Sequence, residues 1–194
     1  MYRTSFLAGG NVRLEFKGVS HTSTVYLDGK EIAAHYNAYS IFSTIVKNVY
    51  EGEHLLEVKA DNRFSKDSSL HIPNDYMSYG GISRPVALET VSDVYIQWVH
   101  FTPIEDNGWK GKIEVCLANI SGNEHVVSIA SELGNVNCTF PETTIQANSS
   151  VTITDIFTFP DAKSWMQETP TLYLLNTVLS ENNVPIDRSE ERRV

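Results

Sequence analysis

Two cysteines, Cys116 and Cys138, are all that the 194 residues contain. Two cannot staple a disulfide-dense scaffold, and their spacing is not the C-x-x-C of a zinc or redox site. Disulfides are rare in cytosolic proteins, so both are read as unpaired thiols. Basic charge is scarce as well, with 15 Lys and Arg against 24 Asp and Glu for a formal net charge of −9. Nucleic-acid surfaces need clustered Lys and Arg, which argues against nucleic acid as a partner. No apolar run approaches the roughly 20 residues that span a bilayer. Met1-Tyr2-Arg3-Thr4-Ser5-Phe6-Leu7 lacks the apolar stretch of a signal peptide. The expectation is a cytoplasmic protein with no membrane partner, in which the glycosylation-like matches at Asn119, Asn137 and Asn148 are chance. The length is also too short for a β/α barrel of about 250 residues.

What is present is ordinary globular usage, 41% hydrophobic and 20% charged, and a hydrophobic period of two from end to end. Val12, Leu14 and Phe16 oppose Arg13, Glu15 and Lys17. Val25 and Leu27 alternate with Thr24 and Tyr26 up to Asp28-Gly29, a pair that tolerates positive φ and predicts a hairpin. Glu51-Gly52-Glu53 reads as a second turn before a strand whose inner face is His54, Leu56, Val58 and Ala60. Residues 39–49 are ambiguous, and 61–81 form a long polar segment of the kind that is often functional. Alternation returns near Val86, in Val94, Ile96, Trp98 and His100, and in Ile113, Val115, Leu117 and Asn119. It continues through 126–130, 151–159, 172–180 and 186–194. Pro103, Asn107-Gly108, Ser121-Gly122 and Gly134-Asn135 read as turns. Short strands at spacings of about 8–12 residues without a helical stripe predict sandwiches or barrels. A boundary near Val91 gives domains 1–90 and 91–194.

Chemistry is harder to find. A glycosidase needs two facing carboxylates, and other hydrolases a nucleophile beside a base; no such set stands out. His21, His35, His54, His71, His100 and His125 match no ligand spacing and read as structural or exposed, so neither a metal nor a cofactor is expected. Glu190-Glu191-Arg192-Arg193 reads as a solvated strand edge.

Several segments, in order, resemble the non-catalytic N-terminal part of glycoside hydrolase family 2, which includes β-galactosidases, β-glucuronidases and β-mannosidases. Tyr2-Arg3-Thr4-Ser5-Phe6 resembles the family's opening strand. Leu14-Glu15-Phe16-Lys17-Gly18-Val19 with Thr24-Val25-Tyr26-Leu27-Asp28-Gly29 resembles its hairpin. Gly52-Glu53-His54-Leu55-Leu56-Glu57-Val58 and Asp61-Asn62-Arg63 are similar to the family's next strand and turn, and Tyr79-Gly80-Gly81-Ile82-Ser83-Arg84-Pro85-Val86 resembles the signature closing the first domain. Trp165 and Pro170-Thr171-Leu172-Tyr173-Leu174-Leu175 resemble a segment of the family's second domain. Glu191-Arg192-Arg193-Val194 looks like the start of the strand that leads into the catalytic barrel.

The resemblance implies an all-β chain of two antiparallel β-sandwiches. The first is a jelly roll of sugar-binding type lacking its first strands, and the second is an immunoglobulin-like domain. It implies a supporting fragment of a retaining β-glycosidase of β-galactosidase or β-glucuronidase type, inactive alone because both catalytic glutamates lie on the absent barrel. The β-linked glycoside would bind through that barrel, and a homo-oligomer is possible. Asp75, a few residues before the Gly-Ile-x-Arg signature, matches an aspartate that hydrogen-bonds sugar hydroxyls, a task that suits an acceptor-only carboxylate. In the alternative, Asp75 caps a turn after Pro73-Asn74. Arg84 is expected to pair with a carboxylate or carbonyl within the domain. Two other readings remain: a free-standing carbohydrate-binding module, favoured if Tyr36, Tyr39, Tyr76 and Tyr79 form an exposed row, and a purely structural tandem sandwich. A jelly roll without its first strands would expose an edge, so residues 1–90 are expected to self-associate or be marginally stable.

Overall fold

Val12, Leu14 and Phe16 are wholly buried, and Arg13 and Glu15 between them are not, as a half-buried strand requires. They lie in β1 (Tyr2–Phe16). The computed structural model describes residues 1–63 and 79–193, in two compact units, Met1–Val91 and Ser92–Val194. Among the described residues the extended elements pair antiparallel throughout, and no helix is long and apolar enough to cross a membrane.

The first unit continues through β2 (Val19–Ser20), β3 (Thr22–Leu27), β4 (Lys30–Tyr36), β5 (Phe42–Asp61), β6 (Gly81–Ile82) and β7 (Val86–Val91). Its main sheet has the order β4-β3-β5-β1-β7, and β2 pairs with β6. Asp28 (φ 50°) and Gly29 (φ 79°) turn the β3–β4 hairpin, both in the left-handed region that a two-residue type I′ turn needs. Glu51-Gly52-Glu53, by contrast, does not reverse the chain, and β5 runs straight through it. The β1–β5 register slips twice there: Ala8 faces Gly52, Gly10 faces Val49 and Val12 faces Val46, so β5 holds one extra residue at each slip. Such bulges bend and twist a strand without ending it, and Gly10 (φ 77°) and Asn48 (φ 53°) take the left-handed conformations involved. The bend divides the long pair into two halves, 2–8 with 52–58 and 10–16 with 42–49. Val12, Leu14 and Phe16 from one half meet Leu56 and Val58 from the other, with Val25 of β3, in a single core, making the halves two layers of a sandwich.

Residues 2–8 carry β5 on one side and, among the described residues, no strand on the other. Beside this edge lies a groove of about 390 Å³ lined by Tyr2, Phe6, Leu14, Val58, Ile82 and Leu88 among others, and Leu7 is 80% exposed. An open, apolar edge templates pairing with another chain. Sedimentation velocity of this chain is expected to show its mean mass rising with concentration, and Leu7→Lys to reduce that rise. A concentration-independent monomer would refute it.

The second unit comprises β8 (Val94–Glu105), β9 (Trp109–Asn119), β10 (His125–Leu133), β11 (Val136–Thr139), β12 (Thr143–Ile145), β13 (Ser149–Thr158), β14 (Tyr173–Glu181) and β15 (Val184–Arg193). One sheet is β13-β9-β8 and the other β11-β10-β14-β15, with β12 also on β10. Ile113, Val115 and Leu117 from the first sheet face Val127, Ile129, Leu175 and Leu179 from the second. Each fully buried side chain of this size contributes about 1.5–3 kcal/mol. Two readings of β8 are corrected. A bulge between Ile96 and Trp98 shifts the inward face by one residue, so Val99 is buried while Trp98 and His100 are exposed. Pro103 sits inside β8 opposite Gly111 rather than at a turn; β8 is an edge strand of its sheet, where a missing N–H is tolerated.

Candidate functional site

Asp75 and Tyr76 lie outside the described residues, as do Pro73 and His71. The structure describes what anchors their segment at both ends. On the entering side, β5 ends against β3 with Thr22 facing Asp61. There the His21 N–H donates to the Asp61 carbonyl at 3.0 Å. The Arg63 N–H donates to Asp61 Oδ1 at 3.1 Å and its guanidinium pairs with the same carboxylate. Hydrogen bonds from Arg63 hold the Asp61 carboxyl well below the usual carboxylate range. On the leaving side, Gly81 and Ile82 pair with Ser20 and Val19, the Ser83 N–H donates to the Gly18 carbonyl at 3.1 Å and the Lys17 N–H to the Pro85 carbonyl at 3.1 Å.

Glycine is required where these ends meet. A Cβ on Gly80 would come within 2.5 Å of the Asn62 side chain, so the two ends of the segment touch. Gly81 has φ +99°, and a Cβ there would meet the Tyr2 hydroxyl at 2.1 Å. Backbone of this conformation and closeness admits only glycine readily. Arg84 reaches the Tyr39 carbonyl at 3.5 Å, an internal carbonyl partner as expected. Tyr36, Tyr39 and Tyr79 are 45%, 60% and 77% exposed, so three of the four tyrosines named from the sequence present surface rather than packing inside.

The other candidate groups resolve into structure. His35 Nε2 is 2.9 Å from Ser40 Oγ and its ring stacks on Phe42. His125 lies between Glu181 and Ser121, and His54 is buried beside Asp28. Among the described residues no group of His, Cys, Asp and Glu could hold a metal ion. Both thiols are free and buried; burial, with Asp155 nearby, pushes the Cys138 thiol up to about 11, which suppresses the thiolate a nucleophile needs.

Sequence reading missed one feature. In the second unit Phe101, Trp109, Phe159, Trp165 and Tyr173 converge on an apolar cavity of about 250 Å³, with the Lys163 N–H donating to the Tyr173 hydroxyl at 2.8 Å. These residues come from separate strands and a loop, so no local spacing announces them.

With this geometry in place, comparison with known proteins assigns the family. Residues 94–193 match the family described as Glycosyl hydrolases family 2. A GH2 beta-galacturonidase of Eisenbergiella tayi is 43% identical with a TM-score of 0.92, over 98% of this chain and 34% of that one. The beta-galactosidase of Thermoanaerobacterium thermosulfurigenes is 28% identical over 89% of this chain and 26% of its own length. A beta-glucuronidase of Bacteroides uniformis shares the fold, with a TM-score of 0.87 at 16% identity over 99% of this chain and 26% of that one. The tandem antiparallel sandwiches are therefore of the glycoside hydrolase class. The chain belongs to glycosyl hydrolases family 2, and it spans from 26% to 34% of the length of these relatives.

Proposed function

We propose that this chain is a non-catalytic supporting part of a retaining β-glycosidase, scaffolding a catalytic barrel and contributing Asp75 to its substrate mouth. One observation carries the reading: 43% identity to a beta-galacturonidase over 98% of this chain but only 34% of that protein. It favours a β-linked uronide as the first substrate to try, with β-galactosides and β-glucuronides beside it. The role given to Asp75 rests on its place a few residues before the Gly-Ile-x-Arg signature at Gly81-Ile82-Ser83-Arg84. An ionised carboxylate accepts hydrogen bonds from adjacent sugar hydroxyls.

The test is to express the open reading frame beyond Val194 and assay aryl β-galacturonide, β-glucuronide and β-galactoside. Hydrolysis by the longer protein and none by the 194-residue chain is expected. In that protein Asp75→Ala is expected to lower kcat/KM by roughly 10- to 150-fold, the loss of a hydrogen bond to a charged group. A stop codon after Val194, or glycan binding by this chain without hydrolysis by any longer product, would overturn it in favour of a free-standing carbohydrate-binding module. The exposed Tyr36, Tyr39 and Tyr79 are what that second reading rests on.

A further inference from the structure

His54 is 1% exposed, and both of its ring nitrogens face oxygen acceptors. Nδ1 is 2.7 Å from Asp28 Oδ2 and Nε2 is 2.8 Å from the Tyr50 carbonyl. A carbonyl and an ionised carboxylate can only accept, and a neutral imidazole has a single N–H. A neutral ring would therefore set a lone pair against one of the two oxygens at hydrogen-bond distance. Both contacts are satisfied together only by the imidazolium, which donates at each nitrogen.

The partner oxygens belong to two parts of the fold, beside the point where Leu27 of β3 faces Leu56 of β5. Asp28 is the first residue of the β3–β4 turn, in the left-handed conformation. Tyr50 lies in the bent stretch of β5. The turn is fastened to β5 at two further points, the Asp28 N–H to the Leu55 carbonyl at 2.9 Å and the Leu55 N–H to Asp28 Oδ1 at 2.8 Å. The same carboxylate thus bridges the Leu55 amide and the imidazolium. From β1, the Phe6 ring lies at 5.8 Å; from β5, the Tyr50 ring lies at 4.2 Å. Aromatic faces at such distances favour a cation. Asp28 supplies the charge in this shell, and at 38% side-chain exposure it gives water a route to the proton.

We propose that His54 is a proton-operated latch: as an imidazolium it ties the Asp28-Gly29 turn to the bend of β5, and losing that proton frees the turn. The hydrogen bond to Asp28, followed by that to the Tyr50 carbonyl, raises the pKa of His54 above its ordinary 6.5. The same pair lowers Asp28 below 3.8. A group raised in the folded state contributes stability fully below its unfolded pKa and loses it as pH rises through the folded value; a lowered carboxyl loses its contribution as pH falls through its folded value. The latch is closed between those limits and opens on the alkaline side, above 6.5.

The experiment uses the 194-residue chain. Long-range proton–nitrogen NMR is expected to show both His54 nitrogens protonated on the acid side of a titration midpoint that lies above 6.5. Protection of the Leu55 amide, corrected for intrinsic exchange, is expected to fall through the same midpoint. The loss is about tenfold for each unit by which the midpoint exceeds 6.5. Asp28→Asn keeps an acceptor for the Leu55 amide but removes the charge. It is expected to move the midpoint down and flatten the protection profile above pH 6. A single-tautomer neutral ring at about pH 6, a midpoint at or below 6.5, or Leu55 protection that ignores the titration would each overturn the latch. The wild-type titration decides even where the variant does not fold.

Discussion

Phe16→Ala is expected to destabilise the first unit by about 3–5 kcal/mol and leave the second unchanged. Phe16 is fully buried and stacks on Phe42 at 4.8 Å with the rings 10° from parallel. The same two residues face each other across β1 and β5, at the end of the long pair where β7 also joins, through Val86. Truncating a buried phenylalanine costs about 3–5 kcal/mol once the cavity is counted, against a net stability of about 5–15 kcal/mol for a whole domain. The core of this unit has few layers, so little around the cavity can collapse into it. Hydrogen exchange is expected to lose protection along β1, β3 and β5 while the amides of Ile113, Val115 and Leu117 keep theirs. All three tryptophans, Trp98, Trp109 and Trp165, fall in the second unit, so the tryptophan fluorescence midpoint in urea should not move. A variant whose first unit stays protected would show that the two halves of the bent sheet do not depend on this contact.

Asn119→Ala should do the converse and move that fluorescence midpoint strongly. Asn119 is 2% exposed at the end of β9. Its Nδ2 donates towards three carbonyls, of Asn123 at 2.7 Å, Gln146 at 3.0 Å and Ile145 at 3.2 Å. Its Oδ1 accepts from the Ser121 N–H and hydroxyl, each at 2.9 Å. One amide thus holds the β9–β10 turn against the approach to β13. Each buried group left without a partner costs about 1–3 kcal/mol, so the loss is of order 3 kcal/mol. Ser121→Ala removes a single hydroxyl from the same network and should cost about 1 kcal/mol. Equal midpoints for the two variants would refute the hub role of Asn119.

Asn119 also marks how far the sequence could be read. Its position on the inner face with Ile113, Val115 and Leu117 followed from alternation; its role as a hub did not, because the carbonyls it serves come from turns up to 27 residues away. Trp98 shows the complementary failure. Alternation carried from Val94 and Ile96 puts it inside, and one extra residue at Gln97 puts it outside. Glu51-Gly52-Glu53 has the composition of a turn, yet a bulged pairing with β1 makes it part of a strand. His54 was legible as an inward-facing structural histidine, and Arg84 as a side chain bound to a carbonyl. For the candidate site, the segment's two ends could be named from the lapse of alternation between 61 and 81, but their mutual contact, Asn62 against Gly80, could not.

The sequence by itself determined the all-β class, the period-two choice of core residues, the Asp28-Gly29 hairpin and the resemblance that the family match bears out. Each is a local property, since side-chain direction alternates with every residue and a two-residue turn is specified by its own φ preferences. Only the tertiary structure decided where register slips, how one bent pair of strands makes two layers, and which aromatic rings share a cavity. It alone placed the buried His54 ring between Asp28 and the Tyr50 carbonyl. These depend on residues brought together across tens of positions, where a single bulge inverts the face that spacing assigns.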